Sequence, residues 1–173
     1  MQHFYWLVEN DIAGCSRPGG PEGSQTRNHR WNGAPDQTDT LEALDRDLAW
    51  LRHQDIGAVL SLTETPLAQD ALSRHGLEVL HLPVPDMTAP VPEQFTRALD
   101  FIDYQRTLGR AVVVHCLVGQ GRTATVLAAY LIRSGMSPEE AIAKLRALCP
   151  GAISSPGQEH ALRAFAARRD WIV

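Results

Sequence analysis

The chain has 173 residues, 44% of them hydrophobic and 21% charged, with a net charge of −4. A chain of this length can bury roughly 70% of its unfolded surface, so a core without disulfide or metal is expected. The mild acidity excludes a general polyanion binder, and the absence of an apolar run of about 18 residues excludes a membrane span. In chain order, Phe4 to Val8 reads as a short strand and Asp11 to Cys15 as a second short segment. Ser16 to Asp39, rich in Gly, Pro, Asn, Ser and Gln, reads as a long loop carrying Arg17, Arg27 and Arg30. Thr40 to His53 has helical spacing, with Leu41, Leu44, Leu48 and Leu51 on one face. Ala58 to Leu62 is an apolar strand, Pro66 to His75 a helix stopped by Gly76, and Leu77 to Leu82 another strand. Pro83 to Pro92 contains four prolines and predicts a constrained loop. A helix over Glu93 to Leu108, a strand over Arg110 to His115 and a helix over Arg122 to Arg133 follow. Ser137-Pro138-Glu139-Glu140 starts a helix running to Leu148, and Gln158 to Arg169 forms the last one through Leu162, Phe165 and Ala166. Strands alternating with helices predict an α/β fold: a single domain over 1–173, a mainly parallel sheet of about five strands, helices on both faces.

The most specific local pattern is His115-Cys116-Leu117-Val118-Gly119-Gln120-Gly121-Arg122-Thr123, a glycine-bearing loop between an apolar strand and a helix. Such a loop can wrap a tetrahedral dianion, because the N–H groups of Leu117, Val118, Gly119, Gln120 and Gly121 sit at a helix N-terminus and the helix dipole adds positive charge. The same field suits a thiolate nucleophile at Cys116. Arg122 can hold two phosphate oxygens with its planar fork, which a lysine cannot. A cysteine buried at a core edge is the competing reading of Cys116. Ligands of parallel sheets bind at the strand carboxyl ends, where Glu64, Asp86 and the Cys116 loop all fall. Attack by a thiolate on phosphorus also requires an acid for the leaving oxygen and a base for the water. Asp86, in Val84-Pro85-Asp86-Met87-Thr88-Ala89-Pro90, is the first candidate for both and Glu64 the next. A solvated loop carboxylate is the plainer reading of Asp86.

The Cys-x5-Arg pattern resembles the signature of the protein tyrosine phosphatase superfamily, and the chain is similar to its small, atypical dual-specificity members. The matching segments are Trp6-Leu7 through Ile12-Ala13-Gly14, Val59 to Glu64, Leu82 to Asp86, His115 to Thr125, and Pro150-Gly151-Ala152-Ile153 continuing to Gln158. The resemblance implies a phosphatase-like fold and a general acid at Asp86. It implies that Thr123 assists thiolate departure and that His115 orders the loop from behind. It also brings Gln158 toward the active-site water, an exposed helix-end glutamine being the alternative. Cys149 stands where such proteins often carry Arg before Pro-Gly, so an arginine contact is expected to be lost there. Ala124 stands where Gly is frequent, a harmless change in a helix.

These readings predict a metal-independent, cofactor-free hydrolase of phosphotyrosine, and also of phosphoserine or phosphothreonine, in a phosphorylated protein or peptide. A phosphoinositide, inositol polyphosphate or RNA 5′-triphosphate phosphatase is the second enzyme reading, although Leu117, Val118 and Gln120 offer no charge for further phosphates. A phosphate-binding pseudophosphatase is the third, although Cys116, Arg122 and Asp86 are all kept. No nucleic-acid or membrane partner and no metal are expected, since the seven histidines show no helical ligand spacing. Three sparse cysteines and no leader-like N-terminus suit a reducing, cytoplasmic setting. Cys15 is either a small core residue or a thiol close enough to trap an oxidised Cys116. Arg17 is a candidate to meet negative groups flanking the phosphate.

Overall fold

β-Branched runs buried on both faces become the middle of the sheet. In the computed structural model, which describes residues 3–20 and 41–168, the strands are β1 (Tyr5–Val8), β2 (Ile12–Cys15), β3 (Ile56–Ser61), β4 (Glu78–His81) and β5 (Ala111–His115). They form one sheet in the order β1-β2-β5-β3-β4, with only the β1–β2 hairpin antiparallel. Central β5 is buried along its whole length, as a strand covered on both faces must be. The helices are α1 (Leu41–His53), α2 (Gln69–Arg74), α3 (Pro92–Thr107), α4 (Arg122–Arg133), α5 (Pro138–Leu148) and α6 (Pro156–Ala167).

The period-2 alternation of the strands sorts them between two cores. Val112 and Val114 of β5 join Ala58 and Leu60 of β3 under α3, α4, α5 and α6. Ala111, Val113 and Val59 face α1 and α2 on the other side. Ile56 lies in that second core although Ala58, two residues on, lies in the first. The register slips between them, pairing Ile56 with Ala111 and Ala58 with Val112, so a bulge at Gly57 turns the strand. Arg110 presses on Gly57, where a Cβ would lie 2.9 Å from the Arg110 Cβ. Helix α4 is buried from Arg122 to Ile132. A helix apolar around its whole circumference belongs inside, and Ala124, Ala128 and Ala129 allow close approach of its neighbours.

The expected layered fold is the observed one. Two local expectations change. Pro66 to Ala68 stay out of α2, and the carbonyls of Thr65 and Pro66 accept the guanidinium of Arg17 instead. Leu41 is exposed, one turn before the buried Leu44, Leu48 and Leu51, because the apolar stripe starts only where the helix meets the sheet. Most of the predicted 16–39 loop, with Arg27 and Arg30, lies outside the described residues.

Candidate active site

Strand pairing continues past the strand ends and builds the site. Ser61 pairs with His115 on one side and His81 on the other. The Leu62 N–H then donates to the His115 carbonyl, Leu82 N–H to Ser61 and Val84 N–H to Leu62. This ladder delivers Cys116, Glu64 and Asp86, distant in sequence, to one rim.

The loop after β5 curls around the Cys116 sulfur, which accepts a hydrogen bond from the Gly119 N–H at 3.3 Å. Gly119 has a φ of +85°, and a Cβ there would lie 2.6 Å from the Cys15 carbonyl carbon. Only glycine fits that turn. The loop is clamped from three sides: Arg17 N–H donates to the Leu117 carbonyl, Ile153 N–H to the Gln120 carbonyl, and the Tyr5 hydroxyl to the Gly119 carbonyl. Gly121 caps α4 without a side chain. A Cβ there would meet Ser154 Oγ at 2.7 Å and Gln158 Nε2 at 3.0 Å, so glycine lets the start of α6 close on the loop.

Arg122 opens α4 and is 2% exposed. Its Nη1 donates to Glu64 Oε2 at 2.9 Å and to the Val84 carbonyl at 2.8 Å, and its Nη2 pairs with Asp86 Oδ1 at 2.9 Å. Glu64 bridges both partners, because its Oε1 accepts the Asp86 N–H at 2.9 Å. Partial desolvation works against its charge, but bonds from its own backbone, Arg122 and Asp86 outweigh it and hold the carboxyl below the usual range. A group that stays ionised is a poor proton donor. Glu64 therefore fits a role joining arginine to acid loop.

His115 is wholly buried, which drives its pKa down to about 3 against the opposing pull of the Cys116 carbonyl bonded to Nδ1. It is a neutral ring behind the loop. Thr123 Oγ1 and His115 Nε2 are buried with no hydrogen-bond partner among the described residues. Gln158 is fully buried rather than exposed. Its Nε2 donates to the Thr88 carbonyl at 3.0 Å and its Oε1 accepts the Ser155 N–H at 3.3 Å. The Ser155 hydroxyl donates to the Met87 carbonyl at 3.0 Å while accepting the Gln158 N–H. Both side chains thus cap α6 and fasten the loop that carries Asp86, whose neighbour Met87 sits at a φ of +60°.

Residues 33–136 match the family Tc-R-P, described as a DSP-PTPase phosphatase of polymorphic toxin systems. The chain belongs to this DSP-PTPase phosphatase family. It is 30% identical over 125 residues to the phosphatidylglycerophosphate phosphatase PTPMT2 of Arabidopsis thaliana, covering 69% of this chain and 55% of the relative. It is 37% identical over 94 residues to the human phosphatidylglycerophosphatase and protein-tyrosine phosphatase 1, covering 53% of this chain and 47% of the relative. The chain thus spans about half the length of these curated relatives. The crystal structure of Tk-PTP in its active form superposes with a TM-score of 0.68 at 37% identity, over 72% of this chain and 86% of that one.

In this DSP-PTPase the other two thiols are buried. Cys15 packs with the α1–α2 core, and burial, with the nearby Cys116, pushes its pKa up. That environment agrees with the core-residue reading. Cys149 shares the α3–α6 core with Cys116 and is likewise pushed up by burial. One turn before Cys149, Arg146 donates to the Ala152 and Ile153 carbonyls, holding the segment whose Ile153 has a φ of +56°. Arg17 is engaged by Thr63 Oγ1 as well as by the 65 and 66 carbonyls, so it braces the rim. Sequence reasoning passed over Tyr5 and Ser155. Tyr5 faces Gly14 across the β1–β2 hairpin, a pairing visible only once the register is known.

Proposed function

We propose that the protein hydrolyses phosphomonoesters of phosphotyrosine, and also of phosphoserine or phosphothreonine, in proteins or peptides, with residues 1–173 acting as one phosphatase domain in the cytoplasm. One observation carries the reading: a cysteine sulfur that accepts the Gly119 N–H of its own loop, with a buried arginine tied to carboxylates at the rim. In the first step Cys116 Sγ attacks phosphorus, the S–P bond forms, and the P–O bond breaks as Asp86 gives its proton to the leaving oxygen. In the second, the Asp86 carboxylate takes a proton from water, the water oxygen bonds to phosphorus, and the S–P bond breaks. The loop N–H groups and Arg122 hold the equatorial oxygens throughout. The unpartnered Thr123 hydroxyl is available to the departing thiolate. Buried free thiols fit a reducing compartment, and no helix among the described residues is long and apolar enough to cross a membrane.

The test is turnover of para-nitrophenyl phosphate and a phosphotyrosine peptide with and without EDTA. Activity is expected in both, and Cys116→Ser abolishes it while retaining phosphopeptide binding. Near-normal turnover by the serine variant, or loss of activity in EDTA, overturns the reading. The names of the relatives favour a second substrate, a phosphatidylglycerophosphate-type lipid. Met87 and Val118, 56% and 36% exposed beside Asp86 and in the loop, suit an apolar substrate body. A kcat/KM on lipid–detergent micelles above that on the peptide would decide for the lipid.

A further inference from the structure

We propose that Tyr5 is a positioning residue for phosphate binding, holding the Gly119–Gln120 peptide in the one orientation that presents an N–H to the anion. The proposal rests on the phosphatase reading of the Cys116 loop. Its starting point is the hairpin register: Tyr5 stands opposite Gly14, and Gly14 pairs with Val114 on the next strand. Val114 faces the α3–α6 core, and the Tyr5 ring packs against that same core. Any side chain at position 14 would occupy the space the ring fills. A Cβ there would lie 2.5 Å from Tyr5 Cζ and 2.6 Å from its oxygen. Glycine at 14 therefore lets the ring lie over the sheet and send its hydroxyl to the carbonyl of Gly119, at 3.2 Å.

That carbonyl belongs to the peptide joining Gly119 to Gln120. In a trans peptide the C=O and N–H point in opposite directions, and the chain has no cis peptide among the described residues. With its oxygen drawn toward Tyr5, the peptide turns the Gln120 N–H the other way, into the loop. Gly119 is the residue least able to keep that orientation unaided. Its φ of +85° is freely available to glycine, which lacks the Cβ that would oppose a rotation. A rotated peptide would set a carbonyl oxygen against phosphate oxygens. The Tyr5 hydroxyl is a dependable donor, because burial and the nearby thiols of Cys149, Cys116 and Cys15 push its pKa up and keep the proton on. The neighbouring Gly119 N–H, already on the Cys116 sulfur, marks the other peptide of the same turn.

The experiment measures protection of Cys116 from iodoacetamide by inorganic phosphate, read by mass spectrometry of the digest, in the wild type, Tyr5→Phe and Gly14→Ala. Tyr5→Phe keeps the ring and deletes one hydrogen bond. The phosphate concentration for half-protection is expected to rise about 3–10-fold, with KM rising in parallel and kcat nearly unchanged. A merely structural role would lower the melting temperature and leave the half-protection point alone. Gly14→Ala, which displaces the ring, is expected to shift the same constant in the same direction. A half-protection point within about twofold of wild type in either variant overturns the proposal. If phosphate protects wild-type Cys116 but no monoester is turned over, the hydrolase reading falls and the Tyr5 comparison still stands. If phosphate gives no protection in the wild type, both fall.

Discussion

Arg122 shows how one buried charge organises a site. Its guanidinium is 2% exposed and faces Glu64, Asp86 and the Val84 carbonyl, a set that only a planar, multi-donor cation can satisfy at once. Arg122→Lys is therefore expected to lose most activity even though charge is kept, which steady-state kinetics will show. Asp86 has the one carboxylate at the rim that is paired with Arg122 and not also committed to a backbone N–H. Asp86→Asn is expected to lower kcat on the order of 10²–10⁴-fold, with a smaller loss for leaving groups that need no proton. A series of aryl and alkyl phosphates measures this. An equal loss across the series would place the acid elsewhere.

At the scale of elements, the N-terminus of α6 does two things with the same two side chains. Ser155 and Gln158 satisfy orphan N–H groups of the helix and also hold the Met87 and Thr88 carbonyls. Gln158→Ala removes one of these ties, the hydrogen bond to the Thr88 carbonyl. Its expected effect is a kcat about 3–10-fold lower for alkyl phosphates, and less for para-nitrophenyl phosphate, because the loop that presents the acid is loosened rather than removed. Gly121→Ala tests the same junction from the other side. Its added methyl, 2.7 Å from Ser154 Oγ, pushes α6 off the loop, and kcat and melting temperature are both expected to fall.

Across the whole molecule, the sheet's central strand ends in a histidine that folding keeps neutral. His115 has a pKa of about 3 when folded, against about 6.5 unfolded. Between those values the unfolded chain binds a proton that the folded one does not, so stability falls as pH drops from about 6.5 toward 3, by at most about 1.4 kcal/mol per pH unit. Urea midpoints at pH 7.5, 6.5 and 5.5 are expected to decline, and His115→Asn is expected to flatten the decline whatever its own cost in stability. Glu64 acts in the same direction at lower pH. Its carboxyl is held below the usual range, so its contribution is present above about pH 4.3 and is lost as pH falls through the folded value.

The sequence by itself determined the layers and the loop. Period-2 apolar runs, helical leucine spacing and the Cys116–Arg122 pattern are all local, and each is encoded within about a dozen residues of chain. Expectations at element ends were less secure. Arg17, reaching across from β2, takes the carbonyls that Pro66 to Ala68 would need for a helical turn. Gln158 was legible as a residue near the site but not as a latch, because its partner Thr88 lies 70 residues away. Tyr5 left no local trace at all. Its meaning depends on a hairpin register that puts it over Gly14, and on a parallel strand that puts Gly119 above both. Contacts of that kind exist only after the sheet has closed, when side chains far apart along the chain share one face and a hydrogen bond can join them.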